Sequence, residues 1–227
     1  RRKIWTYGLS AQADLRATQV HQEGLETRFT VIARGKELGE IRLAMPGTHN
    51  IQNALAAILV SLEMGGKFTD LQEGLSGFTG VDRRFSIRAR VPQRSGAPIT
   101  IVDDYGHHPT EIQATLNAAR EVWPDRQIYA VFQPHRFSRV QDLEEDFCQS
   151  FNQADHVLVC PIYAAGEKPI DGLDQHHLAR GISGHGHHSV VPIDDLDHGS
   201  RMLAERVEPG DVVITLGAGD VNTICTT

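Results

Sequence analysis

The order of apolar and polar positions divides the chain into two stretches of different rhythm. From Arg126 onward, short apolar runs alternate with segments of helical period. Residues 127–132, 156–160, Val190–Pro192 and Val212–Leu216 read as strands, and 141–152, 175–181 and 194–207 as the helices between them. Just upstream, 99–103 reads as a further strand and Pro109–Val122 as a helix. Pro109 suits a first helical turn, where its missing N–H costs little, and Glu111 lies near the positive end of the helix. Strands alternating with helices of this length predict a parallel, doubly wound α/β sheet. Before residue 80 the pattern differs. Residues 28–33 and 40–44 flank Arg34-Gly35-Lys36-Glu37-Leu38-Gly39 as a hairpin with a glycine-bearing turn. An alanine-rich helix is expected over 53–64, ended by Gly65-Gly66, with a short helical turn over 70–75. The segment from Gly77 to Phe85 reads as a domain junction.

Composition narrows the function classes. A chain of 227 residues, 40% hydrophobic and 22% charged, is long enough for a substantial core and ordinary for a soluble protein. A net charge of −7 argues against nonspecific nucleic-acid binding, which favours a basic surface. No apolar run approaches the roughly 20 residues that span a bilayer, and the expected location is the cytoplasm. Cys148, Cys160 and Cys225 show no paired spacing and read as incidental thiols. Gly184-His185-Gly186-His187-His188 is the densest histidine cluster. Its glycines and the absence of a neighbouring carboxylate or cysteine in sequence make it a polar surface loop, with no metal expected.

Candidate chemistry gathers where the predicted strands end. The strongest signal is Asp103-Asp104-Tyr105-Gly106-His107-His108-Pro109-Thr110-Glu111, followed after the next strand by Gln133-Pro134-His135-Arg136-Phe137-Ser138-Arg139. In an open α/β sheet, ligands bind at the carboxyl ends of strands. Neighbouring strand residues point to opposite faces, so Asp103 and Asp104 are expected not both to face the core. One of them is left to accept a ribose hydroxyl or to orient a cation. N-capping of the following helix is the alternative for one aspartate, but it leaves Tyr105, His107 and His108 without a reason. Arg136 and Arg139, three apart at a helix opening, can clamp one carboxylate or phosphate, assisted by the helix N-terminus. In Gly47-Thr48-His49-Asn50-Ile51-Gln52-Asn53, His49 and Asn53 share a helical face and could read an adenine edge. Capping by Asn50 is the alternative, and both readings stay open. Arg83 and Arg84 are a weak phosphate signal, and the small residues of Tyr163-Ala164-Ala165-Gly166-Glu167 and Gly217-Ala218-Gly219-Asp220 allow either backbone approach to a ligand or tight packing.

Taken together these strings resemble the Mur ligases, ATP-dependent amide-forming enzymes of peptidoglycan precursor synthesis, and within them the alanine-adding branch. The resemblance implies residues 1–79 as the last portion of a central α/β ATP-binding domain and residues 80–227 as a Rossmann-like C-terminal domain with a mostly parallel sheet. It implies His49, Asn50, Asn53, Arg84 and Asp104 as ATP-binding, and Tyr105, His107, His135, Arg136 and Arg139 as substrate-binding. Arg84, His107, His135 and Arg136 are implied as catalytic, with either histidine able to serve the amine. The implied small-molecule partners are UDP-N-acetylmuramate, L-alanine and ATP, with neither nucleic acid nor membrane. No Gly-x-x-x-x-Gly-Lys-Ser/Thr loop occurs, so the chain is expected to be a fragment whose Mg2+ ligands lie upstream. Thr48 stands where the family often has Arg. The alternatives are a murein-peptide-ligase type of enzyme and a noncatalytic nucleotide- or anion-binding module.

Overall fold

The hairpin expected around Arg34-Gly35 forms, but with a tighter turn. In the computed structural model, which describes residues 4–226, β3 (Glu26–Ala33) pairs antiparallel with β4 (Lys36–Leu43). Arg34 and Gly35 both take positive φ, 48° and 80°, the pattern of a two-residue turn whose twist matches the strands. Two strands of this sheet escaped the sequence reading. β2 (Leu15–Glu23) pairs antiparallel with β3, and the two-residue β1 (Tyr7–Gly8) runs parallel to β2. The half of β2 beyond Ala17 carries mostly polar, solvent-facing residues, so its period-2 signal is faint.

One face of this four-stranded sheet presents Leu15, Ala17, Phe29, Val31, Ile41 and Leu43. Against it pack Ile51, Ala54, Leu55 and Ile58 of α1 (Thr48–Glu63) and, at the margin, Phe68, Leu71 and Leu75 of α2 (Phe68–Ser76). α1 starts five residues earlier than expected because Gly47, at φ 94°, turns the chain into the helix without a side-chain cap.

The chain forms two compact units, a first up to Gly80 with Glu121–Trp123 and a second of Val81–Arg120 with Pro124 onward. The second unit holds a six-stranded sheet made of β5 (Ser86–Val91), β6 (Ile99–Asp104), β7 (Ile128–Phe132), β8 (His156–Val159), β9 (Val190–Pro192) and β10 (Val212–Leu216). Their spatial order is β5-β6-β10-β7-β8-β9. The pairs from β6 to β9 are parallel, and β5 is an antiparallel edge strand. The helices are α3 (Pro109–Val122), α4 (Phe137–Asp142), α5 (Glu144–Cys148), α6 (Gln175–Gly184) and α7 (Leu196–Arg206), followed by a 3-10 turn, Val221–Thr226.

Both sheet faces are covered. On one, Tyr129, Val131, Leu158, Cys160 and Val213 pack with Leu203, Val221 and Ile224. On the other, the Phe132 ring meets Phe147 at 5.5 Å and Phe151 at 5.2 Å. Hence β7 and β10 are buried at every position, as central strands of a parallel sheet require.

The helix expected over 141–152 is instead two short ones broken at Leu143, whose φ of −121° leaves the helical region. Glu144, Glu145 and Asp146 then occupy the first turn of α5, where acidic groups favour a new helix start. The histidine-rich segment also differs from a free loop. α6 runs into it, His185 Nε2 meets Glu145 at 3.0 Å, and His187 Nε2 lies 3.0 Å from the Ala154 carbonyl. Among the described residues no helix is long and apolar enough to cross a membrane.

Phe132 anchors the second core, so Phe132→Ala should lower unfolding free energy by about 3–5 kcal/mol. Urea titration followed by tryptophan-independent far-UV circular dichroism would measure it, and a loss below about 1 kcal/mol would contradict the packing described.

Candidate active site

Parallel register places three loops side by side. Asp104 of β6 and Phe132 of β7 both stand opposite Leu216 of the intervening β10, so the segments that follow leave the sheet together. This is the edge at which a doubly wound sheet binds ligands.

The first of these ends is fixed by two buried acids. Asp103 accepts hydrogen bonds from Arg83 Nε (3.1 Å), Arg88 Nη2 (3.0 Å) and Thr215 Oγ1 (2.9 Å). Asp104 accepts the Phe85 and Gly106 N–H groups, each at 2.7 Å. Burial pushes the Asp104 carboxyl above its ordinary range, opposed by those two N–H donors and by the Arg84 charge. The expectation that one aspartate would meet the site is therefore corrected. They do point to opposite faces, but both faces are covered, and both carboxylates are buried. Each is occupied with organising the loops.

Arg83 is the joint between those loops. Its backbone takes φ 57°, its carbonyl accepts the Tyr105 N–H at 2.7 Å, and its guanidinium reaches the carbonyls of Gly217 (2.8 Å) and Gly219 (3.3 Å). Gln133 closes the same loop from β7, donating to Asp220 Oδ1 at 2.6 Å and accepting the Val221 N–H at 3.2 Å. A Cβ on Gly219 would stand 2.2 Å from Gln133 Oε1 and 2.9 Å from the Tyr163 ring. Close packing thus accounts for glycine at that position.

Across the loop mouths runs a series of rings. Tyr105 meets His107 edge-on with centroids 5.4 Å apart, His107 lies 5.7 Å from His135, and His135 stacks on Tyr163 at 5.5 Å with planes 10° apart. The guanidinium carbons of Arg83 and Arg84 lie 5.0 and 5.9 Å from the Tyr105 ring. Tyr163 is pinned by backbone bonds, its carbonyl accepting from Arg136 N–H (2.9 Å) and its N–H donating to Pro134 (2.8 Å). Tyr105, His107, His135, Arg136 and Arg139 are thereby brought to one strand-end surface of the second unit.

Charge is distributed unevenly over this surface. Arg84 pairs with Glu111 at 3.3 Å, and Glu111 Oε2 also accepts the N–H groups of His107 (3.0 Å) and His108 (3.2 Å). Although burial works the other way, the His107 N–H and the nearby His107 and Arg84 charges hold the Glu111 carboxyl below its ordinary range. Arg139 Nη1 lies 3.4 Å from His135 Nδ1 and 3.3 Å from the His135 carbonyl. Among the described residues neither Arg136 nor Arg139 has a carboxylate within 4.0 Å. The helix opening at α4 does not supply the anion site expected of it. The Ser138 N–H and Oγ already hold Glu167, at 3.0 and 2.7 Å. Burial, then the charges of Arg139, His107 and Arg136, depress the His135 imidazole, with Glu167 opposing.

In the first unit, His49, Asn50 and Asn53 lie in the opening turns of α1. Asn50 is buried and donates through Nδ2 to the Pro46 carbonyl at 2.7 Å, so it braces the turn and does not cap the helix through its oxygen. Asn53 is exposed and His49 half-buried. Glu111, Tyr163 and Gln133 were not singled out from sequence as site residues, and Arg83 only as half of a weak phosphate signal; its role in joining the loops was not foreseen. All four stood inside the quoted strings, and the spacing of His107 and Glu111 by four was the available signal.

Residues 83–219 match the family described as Mur ligase, glutamate ligase domain, and residues 1–61 match the Mur ligase middle domain. The chain belongs to the Mur ligase family. It is 50% identical over 216 residues to a UDP-N-acetylmuramate–L-alanine ligase of Desulforapulum autotrophicum, covering 95% of this chain and 46% of that protein. A ligase of the same description from Pelobacter propionicus is 48% identical over 223 residues, covering 97% and 47%. The crystal structure of UDP-N-acetylmuramate-alanine ligase from Thermotoga maritima superposes with a TM-score of 0.81 at 27% identity, covering 98% of this chain and 46% of that one. A murein peptide ligase from Psychrobacter arcticus, at 24% identity and TM-score 0.64, shares the fold. The chain thus spans about half the length of the relatives it matches. Among the described residues no group of three or more His, Cys, Asp and Glu side chains could hold a metal ion.

The depressed His135 value has a signed consequence. A histidine that binds protons less readily when folded favours the native state above its unfolded value of about 6.5 and disfavours it below. Relative to wild type, His135→Gln should therefore gain unfolding midpoint as pH falls from about 7 to 5. Thermal melts across that range would check it, and a pH-independent difference would remove the basis for a half-buried, cation-flanked imidazole.

Proposed function

We propose that this chain carries the amino-acid-binding and part of the nucleotide-binding machinery of a UDP-N-acetylmuramate–L-alanine ligase, acting in the cytoplasm. In that reaction ATP phosphorylates the muramate carboxylate and the amine of L-alanine displaces phosphate from the acyl phosphate, forming the amide. The observation that carries the reading is the ring series Tyr105–His107–His135–Tyr163, set among Arg84, Arg136 and Arg139 at adjoining strand ends. Such a surface is polar, cationic and lined with flat rings, which suits carboxylates and a sugar. The 50% identity to a relative of that description supports it.

Within this reading each residue has a physical task. Negative charge builds on the transferring phosphoryl group and on the tetrahedral oxyanion, and fixed guanidiniums facing it lower the barrier without reorganising. Arg84 is the group offered to ATP phosphates. Arg136 and Arg139, which have no carboxylate within 4.0 Å among the described residues, are offered to the substrate carboxylates, and Tyr105 and His135 to the substrate body. His49 and Asn53 are assigned to adenine, with Asn50 holding their turn. Asp104 is reassigned from a nucleotide contact to support of the Phe85–Gly106 backbone. Residues 1–79 are read as the end of the central domain and 80–227 as the C-terminal domain. Mg2+, bound elsewhere in the ligase, would neutralise phosphate charge.

The test uses a ligase in which this chain is joined to a complete ATP-binding domain, with phosphate release measured on UDP-N-acetylmuramate plus L-alanine, glycine or L-serine. L-alanine should give the highest kcat/KM. Arg139→Ala should lower kcat/KM by about 10- to 100-fold, the worth of one hydrogen bond to a charged group. Undiminished turnover after loss of both Arg136 and Arg139 would point instead to a noncatalytic anion-binding surface.

A further inference from the structure

The ring series contains two imidazoles whose hydrogen bonds fix opposite tautomers. His107 Nδ1 lies 3.0 Å from the Tyr105 carbonyl oxygen, an acceptor that carries no proton. Nδ1 must therefore be the protonated nitrogen, and in the neutral ring the lone pair lies on Nε2. His135 has the reverse arrangement. Its Nδ1 is 3.4 Å from Arg139 Nη1, and a guanidinium can only donate. The proton of neutral His135 therefore sits on Nε2. One ring presents a free acceptor and its neighbour, 5.7 Å away, presents a donor.

Among the described residues a carboxylate lies within 4.0 Å of the first ring and none within 4.0 Å of the second, on which Glu167 acts from farther away. Glu111 Oε2 is 3.6 Å from His107 Nδ1, on the side already bonded to Tyr105, and is itself held by the His107 and His108 N–H groups. A negative charge placed there holds the ring in the tautomer that exposes Nε2. His135 faces cations: Arg139 is at its Nδ1, and Arg136 and His107 also oppose its protonation.

We infer that His107, oriented by Glu111, is the proton acceptor for the incoming ammonium group, and that His135 is a neutral hydrogen-bond donor. This rests on the ligase reading above and assigns the proton within it. The ammonium proton passes to His107 Nε2, and the freed nitrogen lone pair forms the C–N bond. The acyl C–O bond breaks, phosphate leaves with that bond's electron pair, and the departing phosphate takes the second proton that the nitrogen must lose to become the amide. His135 Nε2–H offers its hydrogen to a substrate oxygen. Glu111 is a positioning residue, acting through His107.

Two measurements test the assignment. Long-range 1H–15N spectra of this 227-residue chain at about pH 8, above ordinary imidazole titration, should show His107 protonated at Nδ1 and His135 at Nε2, each assigned by loss of its signal on substitution. The same tautomer in both rings, or the reverse pair, would overturn the inference. In the ligase completed by an ATP-binding domain, His107→Asn keeps a donor for the Tyr105 carbonyl and removes the base. Its kcat should fall about 10²- to 10⁴-fold near neutrality and recover about tenfold per pH unit as free amine accumulates. His135→Gln should lose activity without that recovery. Glu111→Gln should lower kcat about tenfold or more at an unchanged KM for L-alanine. A His107→Asn profile parallel to wild type would sink the proton assignment while leaving the ligase reading intact. Absence of L-alanine-dependent turnover in wild type would sink the ligase reading, and the NMR result would still decide the tautomers.

Discussion

The arrangement of the strand-end loops depends on burying two adjacent carboxylates at the end of β6. An isolated buried carboxylate costs several kcal/mol, and that cost is met only when each oxygen is well bonded. Asp103 is satisfied by Arg83, Arg88 and Thr215, and Asp104 by two backbone N–H groups. Those partners come from the segments before β5 and after β6, from β5 and from β10. Satisfying two acids therefore fixes the relative positions of several strand ends. The site is assembled around a constraint that lies beneath it and touches no ligand.

The same loops hold a concentration of unfavourable backbone. Arg83, Phe85, Arg136 and Ala165 all take positive φ, at 57°, 49°, 71° and 48°. Each such residue costs on the order of 1 kcal/mol or more and persists only where its surroundings leave no alternative. Here the surroundings are identifiable. Phe85 is tied to Asp104, Arg83 to Asp103 and the Gly217 carbonyl, and Arg136 to the Tyr163 carbonyl. Strained backbone and rigid bonding at one place describe a surface organised before its ligand arrives, which is what electrostatic stabilisation of a transition state needs.

Much of this was legible in the chain itself. The central strands announced themselves because both faces of the sheet are covered, making residues 128–132 and 212–216 continuously apolar. The edge and half-exposed strands β2 and β5 did not, since their solvent-facing residues dilute the alternation. The break at Leu143 was hidden because a helical period continues across it, although the acidic run at 144–146 was a usable hint. At the candidate site, the strings around Asp103 and His135 do come together at one strand-end surface. Their internal division of labour was not readable. Whether an aspartate meets solvent, or Glu167 caps a helix, depends on contacts between segments far apart in sequence.

The position of β10 has a consequence for how this sheet is made. It follows the other five strands of this sheet in sequence, yet it lies between β6 and β7, near the middle of the layer. Until a ribosome has extruded it, the two halves of the sheet share no hydrogen-bonded neighbour, and Asp103 lacks its Thr215 partner. Assembly of this sheet therefore waits on β10, and a nascent chain halted shortly before Val212 would be missing its keystone and not merely its margin.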